Sequence, residues 1–268
     1  MISDDLIHLK EQKGFSPELK FGQNFLSDEN IISDIVKLCG IGKEDKVLEI
    51  GPGLGSLSVP LSKLTDDLTL VEIDKRLAEF LQTKQDLKAR IVVSDFLKLK
   101  DYDAADYDVV VSNLPYYVMT DIMKKLFAQC NKARKMVFMV EEDALPRILA
   151  VTGTKQYGPL SVLCSIFGET AKEFTVPRNA FIPAPNTTSC VISLTKGERN
   201  LDAGFVSFLE NSFRMRRKKL VNNVKGIEDI LTDLGIDRNI RAEQAEPAVL
   251  WTIYNAIIKN GNKLSNEV

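Results

Sequence analysis

The segment Val110-Val111-Ser112-Asn113-Leu114-Pro115-Tyr116 ends an apolar, β-branched run in residues whose types can hold an amino group. Pro115 fixes its own φ and keeps the preceding residue extended, so the Leu114 carbonyl projects from the end of the run. That carbonyl and the Asn113 side-chain oxygen can accept both hydrogens of a planar amine. The nitrogen then loses conjugation, becomes pyramidal and turns its lone pair toward an electrophile. Such a transfer needs no general base, metal or covalent nucleophile; positioning and differential hydrogen bonding supply the rate. Tyr116 can stack on the face of an extruded base, an interaction of roughly 1–3 kcal/mol. Phe181, in Phe181-Ile182-Pro183-Ala184-Pro185, is a candidate for the opposite face, with a packed loop aromatic as the competing reading. Asn and Pro also make ordinary turns, so the residues upstream decide.

Upstream lies Val47-Leu48-Glu49-Ile50-Gly51-Pro52-Gly53-Leu54-Gly55, an apolar strand running into a glycine-rich turn. Glycines let the backbone bend tightly and let a ligand approach where a Cβ would collide. The dinucleotide pattern G-x-G-x-x-G is not met, because the third glycine comes one residue early. Pro52 also removes an N–H that a pyrophosphate would use. The loop therefore suits a ligand without phosphates. The next strand ends at Glu72, where a carboxylate can accept from both hydroxyls of a ribose. The third ends in Ser94-Asp95-Phe96, an acid beside an aromatic, suited to an adenine amino group. Three such features in order at successive strand ends fit S-adenosyl-L-methionine, with Gly51 and Gly53 at the amino-acid end and no metal.

The elements that position these residues alternate. Short β-branched runs at 46–50, 68–72, 90–93, 107–112, 135–140 and 189–194 are separated by helical patterns at 57–64, 75–84, 120–129 and 143–150. This predicts an α/β fold, a mostly parallel, doubly wound Rossmann-like sheet. A helix over 28–39 precedes it, with Ser27 placed as its cap. Strand signals stop after residue 197, and 205–213, 218–224, 227–234 and 248–259 read as helices. The expected organisation is a catalytic domain over 1–197 and a small all-α domain over 198–268.

Composition sets outer limits. Of 268 residues, 44% are hydrophobic and 27% charged, which excludes wholesale disorder. No apolar run approaches the ~18–20 residues of a membrane span, and the N-terminal segment has no signal-peptide pattern. The four scattered cysteines form no C-x-x-C pair, which argues against a disulfide framework or zinc site and for a reducing cytoplasm. The formal net charge is −2, so contact with nucleic acid must rest on a local patch. Arg214, Arg216, Arg217, Lys218 and Lys219 form one, five cations that repel each other without an anionic partner. A solvated helix face is the bland alternative. His8, the sole histidine, reads as a surface residue, and Trp251 as core.

Taken together, these motifs resemble the small-subunit (16S) rRNA adenine N6,N6-dimethyltransferases of the KsgA/RsmA type. The resemblance rests on Lys20-Phe21-Gly22-Gln23-Asn24-Phe25-Leu26, then Glu49 to Gly55, Glu72, Asp95 and Asn113 to Tyr116. It continues through Tyr157-Gly158-Pro159-Leu160-Ser161-Val162, the Phe181 loop, Phe213 to Leu220 and Arg241-Ala242-Glu243-Gln244. It implies a helical domain that docks on the small ribosomal subunit, and methylation of two adjacent adenosines near the 3′ end of its rRNA. It also implies cofactor contacts at Asn24, Leu26, Gly51, Glu72, Asp95 and Asn113, and a monomeric protein with no membrane partner.

Some positions depart from that family. Glu141-Glu142-Asp143, Asn186-Thr187-Thr188 and Ser165 remove cations or add anions where an RNA face is expected, leaving the amine-binding positions intact. Other readings stay open at this point. The same chemistry serves adenine in DNA or large-subunit rRNA, or a glutamine amide, and the fold could also serve a non-catalytic ribosome-assembly or RNA-binding protein.

Overall fold

Apolar runs of four to eight residues, too short for core helices and rich in Val, Ile and Leu, build most of a central sheet. The computed structural model describes residues 2–13, 16–17, 23–99, 106–114, 117–130 and 132–261. Its strands are β1 (Phe25–Leu26), β2 (Lys46–Ile50), β3 (Asp67–Glu72), β4 (Arg90–Val93), β5 (Val109–Asn113), β6 (Lys135–Glu141), β7 (Gly168–Val176), β8 (Phe181–Ile182) and β9 (Ser189–Lys196). Seven of them form one sheet in the order β4-β3-β2-β5-β6-β9-β7. The pairs β2·β3, β2·β5, β3·β4 and β5·β6 are parallel, and β6·β9 is antiparallel. Strand order reverses between β2 and β5, and in open α/β sheets ligands bind beyond the carboxyl ends at such a switch point. Ile50 pairs there with Val71 on one side and Ser112 on the other.

The helices are α1 (Ile2–Lys13), α2 (Glu29–Cys39), α3 (Ser58–Leu61), α4 (Lys75–Thr83), α5 (Met119–Gln129), α6 (Leu145–Ile148), α7 (Pro159–Phe167), α8 (Ala203–Phe213), α9 (Leu220–Asn223), α10 (Glu228–Asp233) and α11 (Pro247–Lys259). In α2 the apolar stripe of Ile35, Val36 and Cys39 packs into a cluster with Val47, Val109, Val111 and Val137. The cap of α2 differs from the sequence expectation. Asp28 accepts from the backbone N–H groups of Asn30 and Ile31, whereas the Ser27 hydroxyl donates to Ala180 O at 3.1 Å. A carboxylate also complements the positive end of the helix, which a hydroxyl does not.

The chain divides into two compact units, Met1–Ile122 with Lys132–Asp143 and Ala171–Thr195, and Met123–Asn131 with Ala144–Thr170 and Lys196–Val268. The second unit thus takes in two segments that precede residue 197. Its core is aromatic. Phe205 meets Trp251 edge-on at 4.8 Å and Tyr254 at 5.2 Å, and Phe127 meets Phe167 at 5.3 Å. Asp202 caps α8 by accepting from Phe205 N, and the same oxygen accepts from the Tyr254 hydroxyl.

Candidate active site

A cavity opens at the carboxyl ends of β2, β3 and β5, all within the first unit. Asn24, Leu26, Gly51, Gly53, Glu72 and Asn113, read from the sequence as cofactor contacts, line it together. The glycine turn is held to the strand ends. Gly51 N donates to Val71 O at 2.9 Å, which extends the β2·β3 ladder by one bond. Gly51 has φ +67, and a Cβ there would meet no atom within 4 Å, so any side chain would project into open space. Gly53 has φ +59, and its added Cβ would press on the Phe25 ring at 3.1 Å. A larger residue at either position would strain the backbone or fill the cavity.

Glu72 fastens the turn from the neighbouring strand. Its Oε2 accepts from Gly53 N at 3.1 Å and its Oε1 from Asp74 N at 2.9 Å. Burial pushes its carboxyl up to about 7, against the pull of these backbone hydrogen bonds. Glu49 is a second buried carboxylate on the lining, 2% exposed. Burial pushes it up to about 8, opposed by the Ser58 hydroxyl, which donates at 2.6 Å, and reinforced by the charge of Glu72. Sequence reasoning alone assigns Glu49 no role. A signal is there nonetheless, an acid inside the apolar strand Lys46–Ile50, since a carboxylate is almost never fully buried without a partner.

Around this pair the wall is braced by side chains. The Gln23 amide donates to Asp74 Oδ2 at 2.9 Å, and Arg76 grips both Asp74 oxygens at 3.0 and 2.7 Å. Partial burial raises the Asp74 carboxyl, but the hydrogen bonds from Arg76 and Gln23 outweigh it and hold the group below its ordinary value. Ser56 Oγ donates to Leu26 O at 2.6 Å, which ties β1 to the glycine turn.

Asn113 ends β5 on the cavity edge, and its Nδ2 donates to Asn24 O at 3.3 Å. With the nitrogen so engaged, Oδ1 is the acceptor of that amide. Leu114 N donates to Met139 O, and the Leu114 side chain is buried. Pro115 and Tyr116 lie outside the described residues. Asp95 and Phe181 do not line the cavity. Asp95 accepts from Leu97 N as the cap of a short turn, beside the exposed Tyr117. Partial desolvation and the Asp95 charge together raise the Tyr117 phenol. Phe181 pairs with Leu26 across β1 and β8 and is 3% exposed within the same core cluster. Its ring is held by core packing, the competing reading of that residue.

The sequence model of the family described as ribosomal RNA adenine dimethylase matches residues 14–259. The chain is 34% identical to the ribosomal RNA small subunit methyltransferase A of Bacillus mycoides, over 92% of this chain and 94% of that protein. It is 33% identical to the Bacillus cereus protein of the same name, with the same coverage. The chain belongs to the ribosomal RNA adenine dimethylase family. Among solved structures it is similar to a dimethyladenosine transferase from Plasmodium falciparum, with TM-score 0.71 and 21% identity over 88% of this chain and 98% of that one. The 23S rRNA methyltransferase ErmE is also similar, with TM-score 0.59 and 20% identity over 88% of this chain and 100% of that one. Both share the Rossmann-like methyltransferase fold.

As a member of that family the protein is an enzyme, an RNA adenine methyltransferase. Among the described residues no group of three His, Cys, Asp or Glu could hold a metal ion, and no helix is long and apolar enough to cross a membrane. The basic run falls in the second unit, on the turn between α8 and α9 rather than on a helix face. Arg214, Arg217, Lys218 and Lys219 are exposed there. Arg216 is turned inward. It pairs with Glu243 at 3.2 Å and donates to Lys155 O at 2.6 Å and Thr154 O at 3.2 Å.

Proposed function

We propose that this dimethylase methylates the N6 amines of two adjacent adenosines near the 3′ end of small-subunit (16S) rRNA, with S-adenosyl-L-methionine as donor. One observation carries the catalytic reading. Asn113 borders the same cavity as Gly51 and Glu72, with its amide oriented through Asn24. The name and near-complete coverage of the Bacillus relatives support the small-subunit target.

The cavity fits the donor by its chemistry. Gly51 leaves space that a Cβ would fill, and Glu72 and Glu49 offer buried carboxylates to a ligand bearing hydroxyls and positive charge. Asn24, Leu26, Gly51, Gly53 and Glu72 would hold it, and Asp95 would take its adenine amine. When bound, it supplies a methyl group made electrophilic by a positively charged sulfur. Asn113 Oδ1 and the Leu114 carbonyl accept the two hydrogens of the target amine and favour its pyramidal form. Pro115 fixes that carbonyl, and Tyr116 supports the base on one face. The methylated nitrogen is strongly acidic while it bears charge, so its proton leaves without a dedicated base.

The segment 198–268 would dock on the small subunit, with Arg214, Arg217, Lys218 and Lys219 against phosphates. Buried free cysteines suit a cytoplasmic protein, and we place it there, acting as a monomer without a membrane partner. Incubation with labelled S-adenosylmethionine and undermethylated small subunits, followed by digestion and mass spectrometry, tests the proposal. Dimethyladenosine at two adjacent positions near the 3′ end is expected. Label on large subunits, DNA or protein alone would overturn the assignment.

A further inference from the structure

A second cavity, of about 320 Å³, lies wholly within the helical unit. Leu149, Thr152, Tyr157, Ser165, Thr170 and Glu246 are on its wall, so aliphatic, aromatic and polar groups converge. Two buried hydroxyl oxygens, Thr152 Oγ1 and Thr170 Oγ1, have no hydrogen-bond partner among the described residues. The Tyr157 phenol lies beside Thr152 and donates to Ala245 O at 2.7 Å. Buried polar atoms are nearly always paired, and each exception calls for an explanation. Glu246 adds an exposed acceptor. It precedes the first turn of α11, and its side chain makes no capping bond there.

The basic run is joined through Arg216 to a loop between two lining residues. Arg216 holds the carbonyls of Thr154 and Lys155, which sit between the lining residues Thr152 and Tyr157. Glu243, the ion-pair partner of Arg216, accepts from Gly153 through its own carbonyl at 3.0 Å. Arg216 thus ties the run that carries the exposed Arg214, Arg217, Lys218 and Lys219 to the loop between two lining residues of a pocket that offers hydroxyls and a carboxylate.

We propose that this cavity receives one unpaired, amino-bearing nucleobase of the RNA substrate, while the flanking phosphates rest on Arg214, Arg217, Lys218 and Lys219. The inference rests on the reading of that run as an RNA contact. The carboxylate selects bases with an exocyclic amine, which can donate to it, over uracil, which has none. The hydroxyls serve either edge of the ring as donor or acceptor. A single free nucleotide would leave most of the cations unmatched, whereas a strand engages several at once.

Photocrosslinking with the full-length protein tests this. The probe is a pentaribonucleotide with a central 8-azidoadenosine flanked by uridines, used with saturating S-adenosylhomocysteine. Label is expected in peptides from residues 148–170. Ser165→Trp, on the exposed rim, should reduce it roughly tenfold, and Glu246→Gln and Thr170→Val several-fold. Thr170→Val should not lower the melting temperature, because its hydroxyl has no protein partner to lose. Label confined to other peptides overturns the proposal, as does label unchanged in all three variants. Equal displacement by adenosine monophosphate at the oligonucleotide concentration would also overturn it, reassigning the pocket to a free nucleotide. Methyl transfer to small subunits is measured in parallel. No label in peptides 148–170 of the wild-type protein with methylation intact sinks this inference alone, and methylation absent with that label present sinks the proposed function alone.

Discussion

The Asn113 side-chain amide donates from Nδ2 to the backbone oxygen of Asn24, 89 residues earlier in the chain. One end of the amide therefore braces the cavity wall, and the other is oriented to accept a hydrogen from substrate. Asn113→Ala removes both functions, and they are of unequal size. Loss of a preorganised acceptor at the reacting centre costs on the order of 10²–10³ in turnover. Loss of the Asn24 bond costs about 1 kcal/mol, or about fivefold in donor affinity. Single-turnover methylation and calorimetric titration with S-adenosylhomocysteine separate the two. Turnover within a factor of two of the wild type would remove Asn113 from the reaction.

Glu49 and Glu72 make the stability of the ligand-free protein depend on pH in an uncommon direction. Burial raises them to about 8 and about 7, so the folded state binds protons that the unfolded chain, with carboxyl groups near 4.3, has released. Their contribution is fully present below the ordinary carboxylate range and is lost as pH rises through 7 and 8. Thermal melts from pH 5 to 9 should show this decline. In Glu49→Gln, which keeps an acceptor for the Ser58 hydroxyl, the decline should be shallower. Parallel curves for the two proteins would mean that Glu49 does not titrate in this range.

Much of the sheet is legible in the sequence because β2 and β5 are apolar runs bounded by turns, and a parallel strand buried on both faces has little other signature. The edge strand β7 escapes a sequence reading for the opposite reason. Gly168–Val176 carries Glu169, Lys172 and Glu173, and Val176 is its one buried residue, so no apolar run marks it. Charged residues are what an edge strand uses against unwanted pairing. In the site, Gly51 and Glu72 are readable from local pattern. The bracing of Asn113 by Asn24 is not, since it joins segments that only the tertiary fold brings together. Arg216 misleads in another way, because spacing shows that a cation is present but not that its guanidinium faces inward.

The ends of α2 give a test of local stability. Asp28→Ala removes a cap that serves two N–H groups and should cost about 1 kcal/mol. Ser27→Ala should cost less. The Ala180 carbonyl that its hydroxyl serves also accepts from Ser27 N at 2.7 Å, and so keeps a partner. Urea midpoints at constant m-value rank the two variants. A larger loss for Ser27→Ala would return the cap to that residue.

Arg216 and its neighbours should separate into structural and RNA-facing groups. Removing the Arg216 side chain leaves Glu243 and the carbonyls of Thr154 and Lys155 without a donor they now share. Charge-assisted hydrogen bonds contribute about 1.5–3 kcal/mol when buried, and partial exposure here places the expected loss near ~1–2 kcal/mol. Arg217 and Lys218 are exposed, and their replacement by Ala should stay within about 0.5 kcal/mol. Binding reverses the ranking. Every cation–phosphate pairing removed should flatten the slope of log affinity against log salt by about 0.7–0.9, so the Arg217→Ala, Lys218→Ala pair should lower it by roughly 1.5. Arg216→Ala should leave that slope unchanged, since its guanidinium is already committed to protein acceptors. Melting curves and salt-dependent binding to small subunits check both halves. A flattened slope for Arg216→Ala with an unchanged melting temperature would show that the guanidinium leaves Glu243 to meet phosphate.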